Sequence, residues 1–246
     1  MSANTLLLKP NWPAPKNVHA VCSTRQGGCS EGVYASLNLG EHVADNAEHV
    51  LENRLRYQQL AQMPSAPVWL NQVHGTEVVE LLAQNNSIIT ADASITSAKG
   101  VVSTVMTADC LPILLCDSTG SRVAAVHAGW RGLCNGIIEN TLAHFAQPAE
   151  VMVYLGPAIG PTAFEIGVEV RAAFIAQATE AELAFQPAAN GKWLANLYLL
   201  ARQRLLQRGV RQIYGGYYCT HQQNSLFFSY RRDGQTGRMA SSIWLD

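Results

Sequence analysis

The middle of this chain is a series of short apolar runs broken by polar and glycine-containing turns. Residues 68–73, 77–82, 101–107, 113–117, 123–127 and 151–155 each read as a strand. Before them, residues 18–40 are rich in Gly, Ser and Asn and read as one strand followed by loops. Residues 46–62 carry Val50, Leu51, Leu55 and Leu60 among charged positions, which predicts a helix. Asn46 suits its N-cap, and Pro64 and Pro67 close it. Helices are also predicted over 132–145, 167–178 and 193–207, the last stopping near Gly209. Residues 213–218, 226–230 and 239–244 return to strand.

Several of these strands follow one another too closely for crossover connections, so neighbours pair antiparallel. The expected fold class is therefore α+β, with layered mixed β-sheets flanked by helices, rather than a doubly wound parallel sheet. No repeat or linker divides the 246 residues, and one domain over 1–246 is expected.

Composition narrows the function. Hydrophobic residues are 48% and charged residues 14%, which favours a large buried core over disorder. A net charge of -1 lacks the basic footprint of a nucleic-acid binder, so an anion site would be local and built from a few arginines. The first sixteen residues do not resemble a signal peptide, and no apolar run reaches membrane-spanning length. A cytoplasmic protein, monomer or homodimer, is the expectation. The six cysteines show no C-x-x-C pair, so most read as buried thiols rather than disulfides or a zinc ribbon.

Three residues combine into one candidate centre. His74 lies in NQVHG, Cys110 in MTADCLPILL and His127 in AAVHAGWRG, each at or just past the end of a predicted strand. Two imidazoles and a thiolate suit zinc or copper, and three ligands leave a position open for water or substrate. Taken singly, each is an ordinary core or surface residue. Their separations match no local zinc-finger spacing, so packing remains the alternative. Asp109 could orient a ligand, move a proton or simply cap a turn. Arg131 follows a strand-to-helix glycine turn that could receive phosphate. Arg25, Arg231 and Arg232 sit in similar loops and could join it, or be ordinary surface arginines. Trp130, Phe164, Phe227 and Tyr230 could stack a base or fill the core.

The runs STRQGG, SLNLG, NQVHG, TADCLPILL, AVHAGWRG, LGPAIGPTAFEIG, FFSYRRDGQTGR and ASSIWLD occur in order from Arg25 to Trp244. Together they resemble the bacterial multicopper polyphenol oxidase, or laccase-domain, family, whose members are also described as purine nucleoside phosphorylases and peptidoglycan editing factors. The resemblance implies a single layered α+β domain, distantly like cysteine-hydrolase toxin domains. It also implies zinc, with copper as the alternative, held by His74, Cys110 and His127. The implied reaction is phosphorolysis of adenosine, inosine, guanosine or methylthioadenosine, with adenosine deamination as a second activity.

For that reaction Asp109, Cys110 and Arg131 are the expected catalytic residues. Arg25, Gln72, Arg231 and Arg232 are the expected contacts to nucleoside and phosphate. The H-x-E and P-C-x-x-C pattern of zinc deaminases is missing. Two alternatives stand beside phosphorolysis: a copper polyphenol oxidase, for which seven histidines are few, and a cysteine hydrolase or amidase acting on peptidoglycan precursors. The chain departs from the family pattern at Asn196, where Asp is expected, and trivially at Ile166.

Overall fold

A computed structural model describes residues 5–82 and 89–246. In chain order its strands are β1 (Leu7–Leu8), β2 (Val18–Ser23), β3 (Leu70–Asn71), β4 (Val78–Glu80), β5 (Ile89–Thr90), β6 (Ala93–Thr96), β7 (Ser103–Thr107) and β8 (Leu111–Asp117). There follow β9 (Val123–Ala128), β10 (Val151–Leu155), β11 (Glu165–Ile166), β12 (Phe185–Pro187), β13 (Trp193–Ala195), β14 (Gln212–Gly215) and β15 (Met239–Leu245). The α-helices are α1 (Ala47–Leu60), α2 (Trp130–Asn135), α3 (Ile137–Leu142), α4 (Val168–Gln177), α5 (Leu197–Gln207) and α6 (Tyr230–Asp233).

Two sheets stack between layers of helix. The smaller has the order β1-β2-β15-β7 and is antiparallel throughout. The larger has the order β14-β10-β8-β9-β6-β4, with parallel pairs at its two ends and antiparallel pairs between them. Alternation along β8 shows why both faces are covered. Leu114 and Cys116 meet β15 residues such as Ile243 in the inter-sheet core. Leu111, Ile113 and Leu115 pack instead on α2–α5 through Leu133, Ile137, Phe174 and Leu200. A strand buried on both sides reads as a continuous apolar run, as LPILLCD does. The outer face of the smaller sheet is covered by α1 through Tyr57, which packs with Val21, Met106 and Trp244.

Several elements differ from the sequence expectation. The first helix forms with Asn46 as its cap, accepting from Glu48 N at 2.8 Å. Its buried face, however, carries Val50, Asn53 and Tyr57, while Leu51, Leu55 and Leu60 are exposed. Buried Asn53 satisfies its amide on Ser30, Ser36 and Asn38, so a polar residue anchors a loop where an apolar one was expected. The helix expected over 132–145 breaks at Gly136, whose φ of 104° ends α2 before α3 begins. The one expected over 193–207 starts as β13. Asn196 then caps α5, accepting from Leu199 N. Residues 226–230 are not a strand; Ser229 caps the short α6. The run ADASIT, passed over in the sequence, supplies β6.

Strand ends place the centre. β7 belongs to one sheet and β8 to the other, so Cys110 lies where the chain crosses between them. Leu111 on β8 pairs with Ala128 on β9, and Pro112 with His127, which puts Cys110 beside the end of β9. His127 N donates to Asp92 O, immediately before β6.

Candidate metal centre

His74, Cys110 and His127 converge, and their donor atoms all lie within 4.8 Å of one another. Cys110 Sγ is 3.8 Å from His74 Nε2, and the two imidazole rings meet edge to face at 4.8 Å. Tetrahedral zinc with its usual Zn–S and Zn–N lengths separates such donors by about 3.3–3.6 Å. The donor chemistry fits one such ion, and the donors, 3.8 Å apart for one pair and at most 4.8 Å, would draw slightly together to hold it. His127 is buried, Cys110 partly so, and His74 exposed, so the centre opens to solvent on the His74 side.

Asp92 builds much of this geometry. Its fully buried carboxylate accepts from the backbone N–H groups of Val73, His74 and Gly75 at 3.2, 2.9 and 2.6 Å. It also accepts from His127 Nδ1 at 2.8 Å, which leaves Nε2 as the free donor atom. One carboxylate thus fixes two of the three candidate ligands. The bonds to the turn also hold His74 in a left-handed conformation, φ 60°. Burial tends to raise Asp92, but its bonds to His127, Gly75 and Val73 hold it below the usual carboxylate range.

The glycines of HAGWRG serve close packing here. A Cβ on Gly129 would come within 2.8 Å of His74 Cδ2 and 3.3 Å of Cys110 Sγ. One on Gly132 would lie 2.6 Å from the Gly75 carbonyl. Without metal, burial pushes the Cys110 thiol up, yet the neighbouring His127 and His74 outweigh it and bring it down to about 6. His127 is opposed by burial too but is raised by the Cys110 thiolate and by Asp92.

The centre forms part of the wall of a cavity of about 540 Å³, which is also lined by His42, Gln72, Met106, Tyr230 and Arg238. Of the residues expected to meet substrate, Gln72 lines it, but its side-chain amide is paired with the backbone of Met106 at 2.8 and 2.7 Å. Asp109 precedes Cys110, yet its carboxylate accepts from Thr220, Ser229 and Arg231 at 2.5, 3.0 and 2.6 Å. Arg25 binds the Ala35 and Asn224 carbonyls and lies over Phe228. Arg231 binds the Glu165 carbonyl, and Arg232 binds Thr220, His221, Phe227 and Asp233. Arg131 stacks on Trp130. Phe227 is core, whereas Tyr230 is 61% exposed at the cavity. The structure brings together the three ligands with Gln72 and Tyr230. It does not gather Arg25, Arg131, Arg231 and Arg232 around them.

Residues 19–246 match the family model described as "Multi-copper polyphenol oxidoreductase laccase". The chain belongs to this laccase-domain family. It is 54% identical over 240 residues to "Purine nucleoside phosphorylase YfiH" of Escherichia coli (strain K12), covering 97% of this chain and 98% of that protein. The "Purine nucleoside phosphorylase" of Haemophilus influenzae is 48% identical, with 97% and 99% covered. Among solved structures, Neisseria meningitidis protein NMB0706 superposes with a TM-score of 0.95 at 51% identity, covering 98% of this chain and 100% of that one. The layered α+β fold is thus the fold of its relatives.

Two features of this laccase-domain protein escaped sequence reasoning. Asp92 sits in an ADAS run with no motif attached, although an Asp beside an apolar strand was a usable signal. Arg238 closes the run FFSYRRDGQTGR, where the adjacent pair Arg231–Arg232 draws attention first. Only the fold shows that the later arginine reaches the cavity.

Proposed function

We propose that this chain is a zinc-dependent purine nucleoside phosphorylase that works at the His74–Cys110–His127 centre. Substrates would be adenosine, inosine, guanosine or methylthioadenosine, with adenosine deamination as a second activity. The names of the Escherichia coli and Haemophilus influenzae relatives support the reaction class. The observation that carries the reading is the cavity: the donor triad, a guanidinium and an exposed tyrosine ring share one space whose lining includes no carboxylate. That suits a nucleoside together with an anionic co-substrate.

In phosphorolysis a phosphate oxygen bonds to the anomeric carbon as the glycosidic bond to the base breaks. The bonding pair leaves with the base, and the proton that the base gains balances the one phosphate gives up. Charge develops on sugar and base in the transition state, so groups placed to meet it lower the barrier. Tyr230 offers its ring to the purine. Asp92 holds the His127 ring and the 73–75 turn in register. Asp109, expected in the sequence as the proton donor, is committed to three donors; we assign it to anchoring the 229–231 segment behind Cys110. Bound zinc would supply Lewis-acid polarisation of a substrate oxygen. As a metal ligand, Cys110 is a poor free nucleophile.

Copper is compatible with the same ligand types. Among the described residues, though, a single His/Cys/carboxylate group of this kind occurs, which supports one metal ion over the several that a multicopper oxidase needs. The hydrolase reading rests on a separate observation. Cys110 Sγ lies within 4.8 Å of a His127 donor nitrogen, and His127 Nδ1 binds Asp92, a thiol–imidazole–carboxylate order that suits an activated cysteine nucleophile. Peptidoglycan precursors would then be the substrate, and activity would survive chelation.

Zinc-loaded protein given inosine and phosphate is expected to release hypoxanthine and ribose 1-phosphate in equal amounts, and to lose this activity on chelation. No base release from fully loaded protein would overturn the proposal. No helix among the described residues is long and apolar enough to cross a membrane. A cytoplasmic, single-domain enzyme, monomer or homodimer, with no nucleic-acid partner completes the proposal.

A further inference from the structure

Of the four arginines nominated in the sequence, Arg25, Arg231 and Arg232 bind backbone carbonyls, and none of the four lines the cavity, so the co-substrate anion needs another partner there. Arg238 is the arginine in the cavity lining. Its backbone is held on both sides: Arg238 N donates to Asn38 Oδ1, and its carbonyl accepts from Leu39 N. Nη1 donates to the Thr236 and Gly237 carbonyls at 2.9 and 3.1 Å, which fixes the plane of the guanidinium. Among the described residues Nε and Nη2 have no acceptor, so two donors on a fixed fork remain.

His42 stands beside it. A Cβ on Gly40 would come within 2.7 Å of Arg238 Cγ and 3.4 Å of His42 Cε1, so glycine lets the two side chains share this wall. The His42 ring has no hydrogen-bond partner among the described residues. The other nearby guanidinium, Arg54, is taken up by Glu41 and by the ring of Trp69. Gln72 is closed off by Met106. A planar fork with two open donors beside an imidazole, in a cavity whose lining has no carboxylate, matches a tetrahedral oxyanion.

We propose that Arg238 and His42 form the phosphate subsite of this enzyme, with Arg238 the principal contact. This rests on the phosphorylase reading, in which inorganic phosphate is the second substrate. Phosphate would bind beside the His74–Cys110–His127 centre, with the nucleoside against the Tyr230 ring, whose centroid lies 5.9 Å from Arg238 Cζ.

The test compares wild-type, Arg238→Met, Arg238→Lys and His42→Gln protein, each matched for metal content and thermal melting. Two readouts are taken: direct binding of inorganic phosphate by equilibrium dialysis, and phosphate KM against inosine KM in the phosphorolysis assay. Arg238→Met is expected to weaken phosphate binding and raise phosphate KM by about tenfold or more, the usual effect of losing a charge-assisted bidentate contact. His42→Gln should give about threefold, and inosine KM should change less than phosphate KM in both. Arg238→Lys should recover part of the loss, because it restores the charge without the fork. Unchanged phosphate binding in Arg238→Met overturns the subsite, whether or not the enzyme turns over. If wild-type protein binds phosphate through Arg238 yet releases no base from nucleosides, the subsite stands and the phosphorylase reading fails.

Discussion

Replacing Asp92 by Asn perturbs the centre without touching a candidate ligand. The carboxylate accepts four N–H donors: three from the 73–75 turn and one from His127. Asn has the same shape but keeps one acceptor oxygen and turns an NH2 toward the remaining donors. Each carboxylate oxygen takes two of these bonds, so two donors, buried or partly so, then lose their acceptor, at about 1–3 kcal/mol each, and a loss of about 3 kcal/mol is expected. For a chain of this size that lowers Tm by about 6–12 °C. Asp92 is held below the usual carboxylate range, so its contribution is complete above the ordinary value of about 4 and disappears as pH falls through its own lower one. Neutral pH therefore reads the full effect. Freed from Asp92, the His127 ring and the His74 turn lose their alignment, and zinc affinity should fall about 10–100-fold. Thermal melting of chelator-treated protein measures the first quantity, and competition with a chromophoric chelator measures the second. Melting within about 1 °C of wild type, with unchanged zinc affinity, would refute the claim that this one carboxylate organises both histidines.

Gly129→Ala should weaken zinc binding by an amount similar to Asp92→Asn, because the added Cβ lies 2.8 Å from His74 Cδ2; unaltered metal content would show that the turn yields freely. In metal-free protein near neutral pH, iodoacetamide should label Cys110 before Cys22 and Cys116, whose thiols burial pushes up to about 12. The labelling rate should fall as pH drops through about 6, where the thiolate is lost, and zinc should suppress it. Labelling of Cys22 at the same rate would contradict this. Asn196→Ala should cost about 1 kcal/mol in chemical denaturation by removing the α5 cap, while Asn196→Asp should keep it. Equal stabilities for the two variants would count against the cap.

The fold was legible where one physical signal dominated. Doubly buried strands such as β8 and β9 are continuous apolar runs, and the Asn46 cap announces α1. Boundaries failed where tertiary contacts decide the local state: Gly136 splits a helix that apolar periodicity alone would continue, and Trp193–Ala195 pair as a strand before Asn196 starts the helix. The α1 face was misjudged because buried Asn53 and Tyr57 are polar residues whose partners lie far along the chain. At the site, the ligand types were readable, whereas Asp92 and Arg238 were not. Each acts through neighbours that only the folded chain brings near. Conversely, arginines in loops look alike in sequence, and most of these bind backbone carbonyls.

One metal ion held by His74, Cys110 and His127 is the prediction on which the proposed chemistry depends. Cobalt(II) titration of chelator-treated protein tests it most directly, because cobalt reports thiolate coordination by a charge-transfer band. The prediction is saturation at one equivalent, with a thiolate band that Cys110→Ser abolishes and His127→Ala strongly weakens. Wild-type protein that takes up no cobalt, or a band that persists in Cys110→Ser, would contradict it.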